Sequence, residues 1–483
     1  MINWKDERNL SLLADFYEFT MANGYLKEKV HEHITYFDLY FRSVPDKGGF
    51  AIFAGLEQFV HYIENLHFED DDIEYFKSKG IFSDEFIDYL KNFKFECDVW
   101  AMEEGTVVFP NEPLLIVRGP AIQAQMIETM SLILINHQTL IATKTNRIVK
   151  SADGRAVMEF GSRRAQGADA ATIGARAAYI GGVVGSANAY ADKLYGVPAL
   201  GTMAHSWVMM FENEFEAFRA YAETFPDDTT LLVDTYDTLK SGIPNAIKVF
   251  DEVLKPMGKR PVGIRLDSGD IAYLSKKARK MLDEAGYEDC KIVASSALDE
   301  FKIKDMLDQG AIVDSFGVGE RLITSMSNPV FGGVYKLVAT EENGNITPKI
   351  KISENVEKIT TPGFKQVYRF YDNDDNKAIA DLVCLHDEEI NKDEIEIFHP
   401  VHTWKRKTLT NFHSKKLLVP IFENGKRVYN LPSLEDIKKK KESEVSMLWE
   451  EVQRFEFPHI YIVDLSQKLW EMKNEMINKT KIF

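Results

Sequence analysis

Apolar and polar residues follow different periods in successive parts of the chain. Up to about residue 120, short helical patterns alternate with strand-like runs such as "ITYFDLYFRS" and "GTVVFPNEPLLIVRGP", where prolines mark turns and edge strands. Residues 121–151 then carry a long helical pattern. The first of these regions predicts an N-terminal mixed α+β domain over residues 1–125.

A second pattern begins near residue 155, where short β-branched runs end in polar or glycine-rich clusters and amphipathic helical patterns follow. Such runs start at residues 231, 262 and 291, roughly 30 residues apart, and another starts at 311. Asp270 is a candidate helix N-cap, Gly286 a candidate helix stop, and Ser296 and Asp299 have the spacing of a capping box. The regularity predicts strand–helix units of a parallel sheet or barrel, and we assign residues 126–340 to this α/β domain.

The remaining residues, 341–483, combine β-like runs and turn signals with a helical, charged tail from Pro432 onward. We expect this extension to pack on the N-terminal domain and to end in helices. The basic run Lys438–Lys441 is flanked by acidic residues, which predicts a solvated helix face.

Charge and cysteine content narrow the classes of function. The 483 residues include 75 acidic and 58 basic side chains, for a formal charge of -17, which argues against nucleic-acid or anionic-membrane binding. Three scattered cysteines form no metal-binding pair, and the N-terminus carries no secretory pattern. We therefore expect a reduced, cytoplasmic protein without a membrane span.

Polar side chains cluster where the predicted strands end, which is where ligands bind in parallel α/β folds. Carboxylates suit vicinal diols or a metal ion, whereas glycine-rich turns and arginine suit a phosphate. The combination indicates a site for a sugar phosphate, although Asp270 alone is explained equally well as an N-cap. The residues in these loops are Asp234, Thr235, Asp237, Arg265, Asp267, Ser268, Asp270, Ser295, Ser296, Gly317 and Gly319.

Aromatic, basic and imidazole groups lie in three further segments. Phe160 in "MEFGSRRAQGADA" could stack on a flat ring or belong to the core. Arg163 or Arg164 could hold a carboxylate or phosphate, while one of the two faces solvent. His205 in "GTMAHSW" is either a buried histidine with one hydrogen bond or a reactive nitrogen. The segment "LLADFYEFTMANGYL" predicts an amphipathic helix with Phe16 in the core and Tyr17 pointing away from the apolar stripe.

Taken together, eight segments resemble the nicotinate phosphoribosyltransferase family, in the family's order, across roughly residues 10 to 340. They are "LLADFYEFTMANGYL", "FDLYFRSVPDKGGFAIFAGLEQ", "EFGSRRAQG", "GTMAHSW", "LLVDTYDT", "GIRLDSGD", "FGVGERLITS" and "FGGVYKLV".

The resemblance implies an irregular α/β barrel as the catalytic domain and a homodimer whose active sites lie at the subunit interface. It also implies an enzyme that converts nicotinate and phosphoribosyl pyrophosphate into nicotinate mononucleotide and pyrophosphate, with ATP hydrolysis coupled to turnover. Mg²⁺ is expected to arrive with pyrophosphate or ATP, with no protein ligands assigned to it.

By the same resemblance, ATP phosphorylates His205. Tyr17 and Phe160 are expected to sandwich nicotinate, with Tyr17 supplied by the opposite subunit. Thr202 and Arg265 match residues that contact nicotinate, and an arginine suits its carboxylate.

The resemblance also assigns groups to the sugar and its phosphates. Asp267, which joins His205 and Arg265 as catalytic, and Asp234 are candidates for the ribose hydroxyls and the Mg²⁺–pyrophosphate group. Arg163 is expected to hold a phosphate or the acid. Lys336 is a candidate for the pyrophosphate, the alternative being a strand lysine at the surface. The candidates for the 5′-phosphate are Ser295, Ser296, Gly317 and Gly319.

One position departs from the family pattern. Some members carry threonine after the glycines of the phosphate loop, where this chain has Glu320. Because a carboxylate repels phosphate, we expect Glu320 to point away or to pair with Arg321. A relative that uses nicotinamide or quinolinate, and a catalytically silent scaffold that binds phosphoribosyl pyrophosphate, are the alternative functions.

Overall fold

A computed structural model describes residues 8–355, 358–390 and 393–479. The described residues form two compact units, one comprising Lys144–Pro329 and the other residues 8–143 together with those described between 330 and 479. Within the described ranges, no helix is both long and apolar enough to cross a bilayer.

Helices and strands alternate along most of the chain. The helices are α1 (Phe16–Lys27), α2 (Leu56–Glu64), α3 (Asp70–Lys79), α4 (Asp84–Lys91), α5 (Ala121–Gln125), α6 (Glu128–Ser151), α7 (Ala168–Gly181), α8 (Ala189–Tyr195), α9 (His205–Met209), α10 (Glu214–Thr224), α11 (Ile243–Val249), α12 (Ile271–Glu284), α13 (Glu300–Asp308), α14 (Glu320–Ile323), α15 (Leu434–Ser446) and α16 (Gln467–Lys479). The strands are β1 (Ile34–Phe41), β2 (Ala51–Ile52), β3 (Asp98–Ala101), β4 (Val107–Val108), β5 (Leu115–Pro120), β6 (Ala156–Glu159), β7 (Gly185–Ser186), β8 (Thr230–Leu232), β9 (Gly263–Leu266), β10 (Lys291–Ser295), β11 (Ser315–Val318), β12 (Gly333–Glu342), β13 (Asn345–Pro348), β14 (Lys365–Asp372), β15 (Ala378–Leu385), β16 (Glu394–Phe398), β17 (Arg406–Thr410), β18 (Phe412–Lys416), β19 (Val419–Glu423), β20 (Lys426–Arg427) and β21 (Val463–Leu465).

The Lys144–Pro329 unit contains a six-stranded parallel sheet in the order β7-β6-β11-β10-β9-β8. Its strands are rich in fully buried residues, as expected when helices cover both faces of a parallel sheet. The predicted strand–helix units are therefore confirmed, and Asp270 caps α12 by accepting a hydrogen bond from Tyr273 N at 2.9 Å. Among the described residues the edge strands β7 and β8 do not pair with each other, so the sheet is open and a closed barrel is not seen.

The other unit is built around a seven-stranded, largely antiparallel sheet in the order β13-β12-β1-β5-β3-β19-β20. Its core contains a cluster of aromatic rings, among them Phe19, Phe76 and Phe86, which are all at most 3% exposed. A four-stranded sheet, β18-β14-β15-β21, and the helices α15 and α16 come from the C-terminal residues. The predicted solvated face of α15 is wrong at Lys441, which is 5% exposed and whose pKa burial lowers to about 8.

Candidate active site

His205 is the first residue of α9 and lies beside residues that directly follow strands β8 and β9 of the parallel sheet. Its Nδ1 lies 3.2 Å from Thr235 Oγ1, and its Nε2 lies 3.7 Å from Asp267 Oδ2. The His205 side chain is 40% exposed, so the interpretation as a buried core histidine is wrong. Its imidazole is accessible and is positioned by residues that follow β8 and β9.

Arg265 in β9 connects several of the predicted site residues. Its Nε donates to Ser295 Oγ at 2.7 Å and its Nη2 to Asp267 Oδ1 at 2.8 Å. Nη1 makes longer contacts, 3.3 Å to Thr202 Oγ1 and 3.4 Å to the Met203 carbonyl oxygen. The guanidinium is thus fixed by short hydrogen bonds from Nε and Nη2, whereas Nη1 makes only long contacts.

Two carboxylates follow the strands β8 and β9. Burial acts to raise the pKa of Asp267, but the hydrogen bond from Ser295 Oγ and the charge of Arg265 outweigh it and lower that pKa, so Asp267 is ionised. Asp234 Oδ2 accepts hydrogen bonds from Asp267 N at 2.9 Å and Ser268 Oγ at 2.6 Å. The other oxygen, Asp234 Oδ1, is buried and has no hydrogen-bond partner among the described residues, which leaves an oxygen ligand without a protein partner.

The Phe160 ring lies close to the Arg265 guanidinium and to the backbone of β11. Arg265 Cζ is 5.5 Å from the ring centroid, a cation–π distance. A Cβ atom at Gly317 would come within 2.5 Å of the ring carbons Cδ2 and Cε2. A Cβ at Gly319 would lie 3.0 Å from the Phe160 carbonyl oxygen. Both glycines therefore permit the close approach of the Phe160 segment, in addition to the phosphate contacts predicted for them.

Glu159, which the sequence analysis did not single out, anchors the same segment. The residue is fully buried, accepts short hydrogen bonds from Gly161 N and Ser186 Oγ, and connects β6 with β7. Burial raises the pKa of Glu159, although these two hydrogen bonds oppose the shift. A carboxylate at the end of an otherwise apolar strand was the available signal for this role.

The arginines after Phe160 differ in their surroundings. Arg163 is exposed, and no hydrogen bond or ion pair joins it to another residue of the described ranges. Arg164 Nε lies 3.4 Å from Glu320 Oε2, with both side chains about half exposed. Arg321 instead pairs with Asp299, so the expected Glu320–Arg321 pair is wrong. Ser296, which directly follows β10, is half-buried.

Tyr17 and Lys336 belong to the other compact unit, where Glu128 connects them. Lys336 Nζ lies 3.7 Å from Glu128 Oε1 and donates to the Tyr335 carbonyl oxygen at 2.7 Å. Burial raises the pKa of Tyr17, and the charge of Glu128 and the hydrogen bond to it raise that pKa further. Since Tyr17 is 43% exposed, its ring face is available to a ligand. Two residues predicted to bind substrate therefore share one carboxylate.

The described residues contain no cluster of side chains that would form a dedicated metal centre. No group of three or more His, Cys, Asp or Glu side chains with metal-binding geometry exists among residues 8–355, 358–390 and 393–479.

Comparisons with known proteins agree on one family. Three family models match: the nicotinate phosphoribosyltransferase N-terminal domain over residues 12–136, the nicotinate phosphoribosyltransferase family over residues 155–381, and its C-terminal domain over residues 364–473. The nicotinate phosphoribosyltransferase of Bacillus subtilis (strain 168) is 46% identical over 481 residues, which cover 99% of this chain and 97% of that protein. The human nicotinate phosphoribosyltransferase is 30% identical, with 96% of each chain covered. A crystal structure of human nicotinic acid phosphoribosyltransferase superposes with a TM-score of 0.86 at 29% identity, covering 96% of this chain and 99% of that one.

Proposed function

Because this chain belongs to the nicotinate phosphoribosyltransferase family, we propose that it transfers the 5-phosphoribosyl group of phosphoribosyl pyrophosphate to nicotinate. The products are nicotinate mononucleotide and pyrophosphate, and ATP is cleaved to ADP and phosphate through phosphorylated His205. This reaction is the first step of NAD salvage from nicotinate. The observation that carries the proposal is the chain of contacts from His205 through Asp267 to Arg265 and Ser295.

The acid-binding end of the site is Arg265. A guanidinium binds a carboxylate through paired N–H bonds, which distinguishes nicotinate from its uncharged amide. Nη1, whose contacts to Thr202 and Met203 are long, is the atom best placed to exchange its partners for a substrate carboxylate. The pyridine ring then stacks on Phe160.

The sugar-binding end consists of Asp234, Asp267 and the loops after β10 and β11. The pyridine nitrogen attacks C1′ while the bond from C1′ to pyrophosphate breaks and its electron pair leaves with pyrophosphate. The ionised Asp267 stabilises the positive charge that develops at C1′, and Asp234 binds ribose hydroxyls. The 5′-phosphate is bound by Ser295, Ser296 and the backbone at Gly319.

Mg²⁺ fits this group of residues. Asp234 Oδ1, buried and without a protein partner, is the hard oxygen ligand that Mg²⁺ prefers, directly or through water. When bound with pyrophosphate, Mg²⁺ supplies neutralisation of the leaving group. Arg163 is an exposed cation for the same phosphates.

The contact with Thr235 suits His205 to its role. If Nδ1 donates its proton to Thr235 Oγ1, Nε2 carries the lone pair and acts as the nucleophile. A bond forms from Nε2 to the γ-phosphorus of ATP as the bond to the β-phosphate oxygen breaks and ADP leaves. Water later hydrolyses the phosphohistidine.

The proposal includes a homodimer in which Tyr17 of one subunit completes the ring site of the other. Its support is the exposed ring of Tyr17 and the shared contact of Tyr17 and Lys336 with Glu128. We also retain an irregular α/β barrel as the catalytic fold, with the six-stranded sheet as its parallel part. A cytoplasmic location is supported by three buried cysteines that form no disulfide.

The decisive experiment is phosphate labelling from γ-labelled ATP, followed by mapping of the labelled residue. We expect the label on His205, and His205→Ala should lose base-dependent ATP cleavage while retaining slow nucleotide formation. His33→Ala, an exposed histidine in the other unit, is the matched control. Full ATP-stimulated activity in His205→Ala would refute the coupling. Product assays with nicotinate, nicotinamide and quinolinate show which base the protein uses. If none of the three bases causes release of pyrophosphate, the protein is the catalytically silent scaffold.

A further inference from the structure

A cleft of about 550 Å³ lies within the unit formed by residues 8–143 and the described residues between 330 and 479. Its floor is one face of the seven-stranded sheet. Arg118 of β5 is in register with Tyr36 of β1 on one side and with Asp98 of β3 on the other, so the three side chains share that face. The volume falls within the range of small-molecule sites.

Four aromatic rings line this cleft: those of Tyr36, Trp100, Phe364 and His386. Phe364 and His386 are stacked, with centroids 3.9 Å apart and an interplanar angle of 14°. The Trp100 ring is inclined to this stacked pair, at 5.7 Å and 61° from His386 and at 5.0 Å and 53° from Phe364, so the three rings form a corner of the cleft. Such a corner presents π faces to a flat ligand.

The charges in the cleft are predominantly negative. Arg118 donates to Asp98 Oδ2 at 2.8 Å and to both carboxylate oxygens of Glu341, at 3.1 and 2.9 Å. One guanidinium therefore faces two carboxylates, and the floor has one negative charge in excess. At the rim, Asp387 is 75% exposed and pairs with Lys468 at 3.3 Å. Burial lowers the pKa of His386, so its ring adds no positive charge at neutral pH.

We propose that this cleft binds a planar organic cation of one or two aromatic rings. The cation stacks in the aromatic corner, where ring faces attract positive charge, and its charge meets the excess carboxylate of the floor. An anion such as nicotinate is disfavoured there, because Arg118 is already occupied by Asp98 and Glu341. None of the lining residues belongs to the catalytic site proposed above, so this binding site is independent of that function.

Binding of 1-methylnicotinamide, a planar cation, to the full-length protein tests this inference. Titrations use calorimetry with saturating nicotinate, which blocks the catalytic site, and uncharged nicotinamide is the matched probe. We expect the cation to bind at least tenfold more tightly than nicotinamide. Trp100→Leu should raise Kd about fivefold or more, the range of a desolvated cation–π contact. Trp404→Leu, at a 74% exposed tryptophan outside the cleft, should leave Kd unchanged.

A second variant does not depend on the folding of a half-buried ring. Asp387→Lys reverses an exposed rim charge and should raise Kd about threefold by Coulomb repulsion. Glu342→Lys is its control, since Glu342 is exposed and does not line the cleft. Three results would each overturn the proposal: equal affinity for the cation and nicotinamide, cation binding that is seen without nicotinate but lost when nicotinate is saturating, or an unchanged Kd in both Trp100→Leu and Asp387→Lys.

Discussion

Adding a single methyl group at Gly317 should displace the aromatic platform of the site. In Gly317→Ala, the new Cβ would lie 2.5 Å from two carbons of the Phe160 ring. Carbon atoms in contact normally stay about 3.5–4.0 Å apart, so the ring must retreat by roughly 1 Å. Because φ at Gly317 is not positive, the backbone conformation there suits alanine without strain. The contact between the new Cβ and the Phe160 ring is therefore the only perturbation.

The size of the effect follows from the overlap. Overpacking of this kind costs about 1–3 kcal/mol. A misplacement of about 1 Å near the reacting groups can reduce the rate by ~100-fold. We therefore expect kcat/KM for nicotinate to fall about 10- to 100-fold, with a smaller change in the KM for phosphoribosyl pyrophosphate.

A double-mutant cycle separates this explanation from a phosphate-binding role of Gly317. Steady-state kinetics are measured for Gly317→Ala, Phe160→Ala and the double variant. If the ring clash is the cause, Gly317→Ala costs less than about twofold once the ring is absent. Gly201→Ala is the control, since a Cβ at Gly201 meets nothing within 4 Å. An undiminished penalty in the Phe160→Ala background, expressed in the KM for phosphoribosyl pyrophosphate, would refute the steric reasoning.

Two further predictions concern the buried carboxylates of Glu128 and Glu18, which lie outside the Lys144–Pro329 unit. Glu128→Gln keeps the shape of the side chain but removes the negative charge beside Lys336. We expect kcat/KM for phosphoribosyl pyrophosphate to fall about fivefold, the effect of losing a partly buried ion pair. An unchanged kcat/KM would exclude a role for this ion pair in catalysis. Burial raises the pKa of Glu18 from 4.5 to about 7, so folded protein keeps this proton while unfolded chains lose it. The stability from Glu18 is thus fully present below pH 4.5 and is lost as pH rises through about 7, by roughly 3 kcal/mol. When the pH is raised from 4.5 to 8, the thermal unfolding midpoint should fall less in Glu18→Gln than in the native protein. If the midpoint of both proteins changes with pH in the same way, this assignment for Glu18 is wrong.

The sequence predicted the polar strand ends correctly because they depend on local order. A buried strand followed by a polar turn and a capped helix is recognisable within one segment, and Asp234, Asp267 and Ser295 lie where that pattern predicts. Local spacing was ambiguous where two caps were possible. The predicted capping box from Ser296 is wrong, since Asp299 is itself the N-cap and accepts a hydrogen bond from Lys302 N at 2.8 Å.

Contacts between distant segments were beyond sequence reasoning. Glu128 and Glu159 act through partners on other elements, and nothing in their own segments indicates which partner they meet. The helix α1 was predicted, yet Phe16 is 44% exposed whereas Phe19 is 3% exposed, because the packing of other elements decides which face is covered. The prediction that Glu320 pairs with Arg321 was wrong for the same reason, since Glu320 lies beside Arg164 instead.

The fixed position of the Arg265 side chain has an energetic consequence for the proposed reaction. Long side chains lose up to about 2 kcal/mol of rotational freedom when they are fixed, and a flexible arginine would lose it each time a substrate arrives. Here Ser295 and Asp267 immobilise the guanidinium when the protein folds. In the proposed reaction, this entropic cost is therefore met once, when the protein folds, and repeated cycles of acid binding and product release proceed without it.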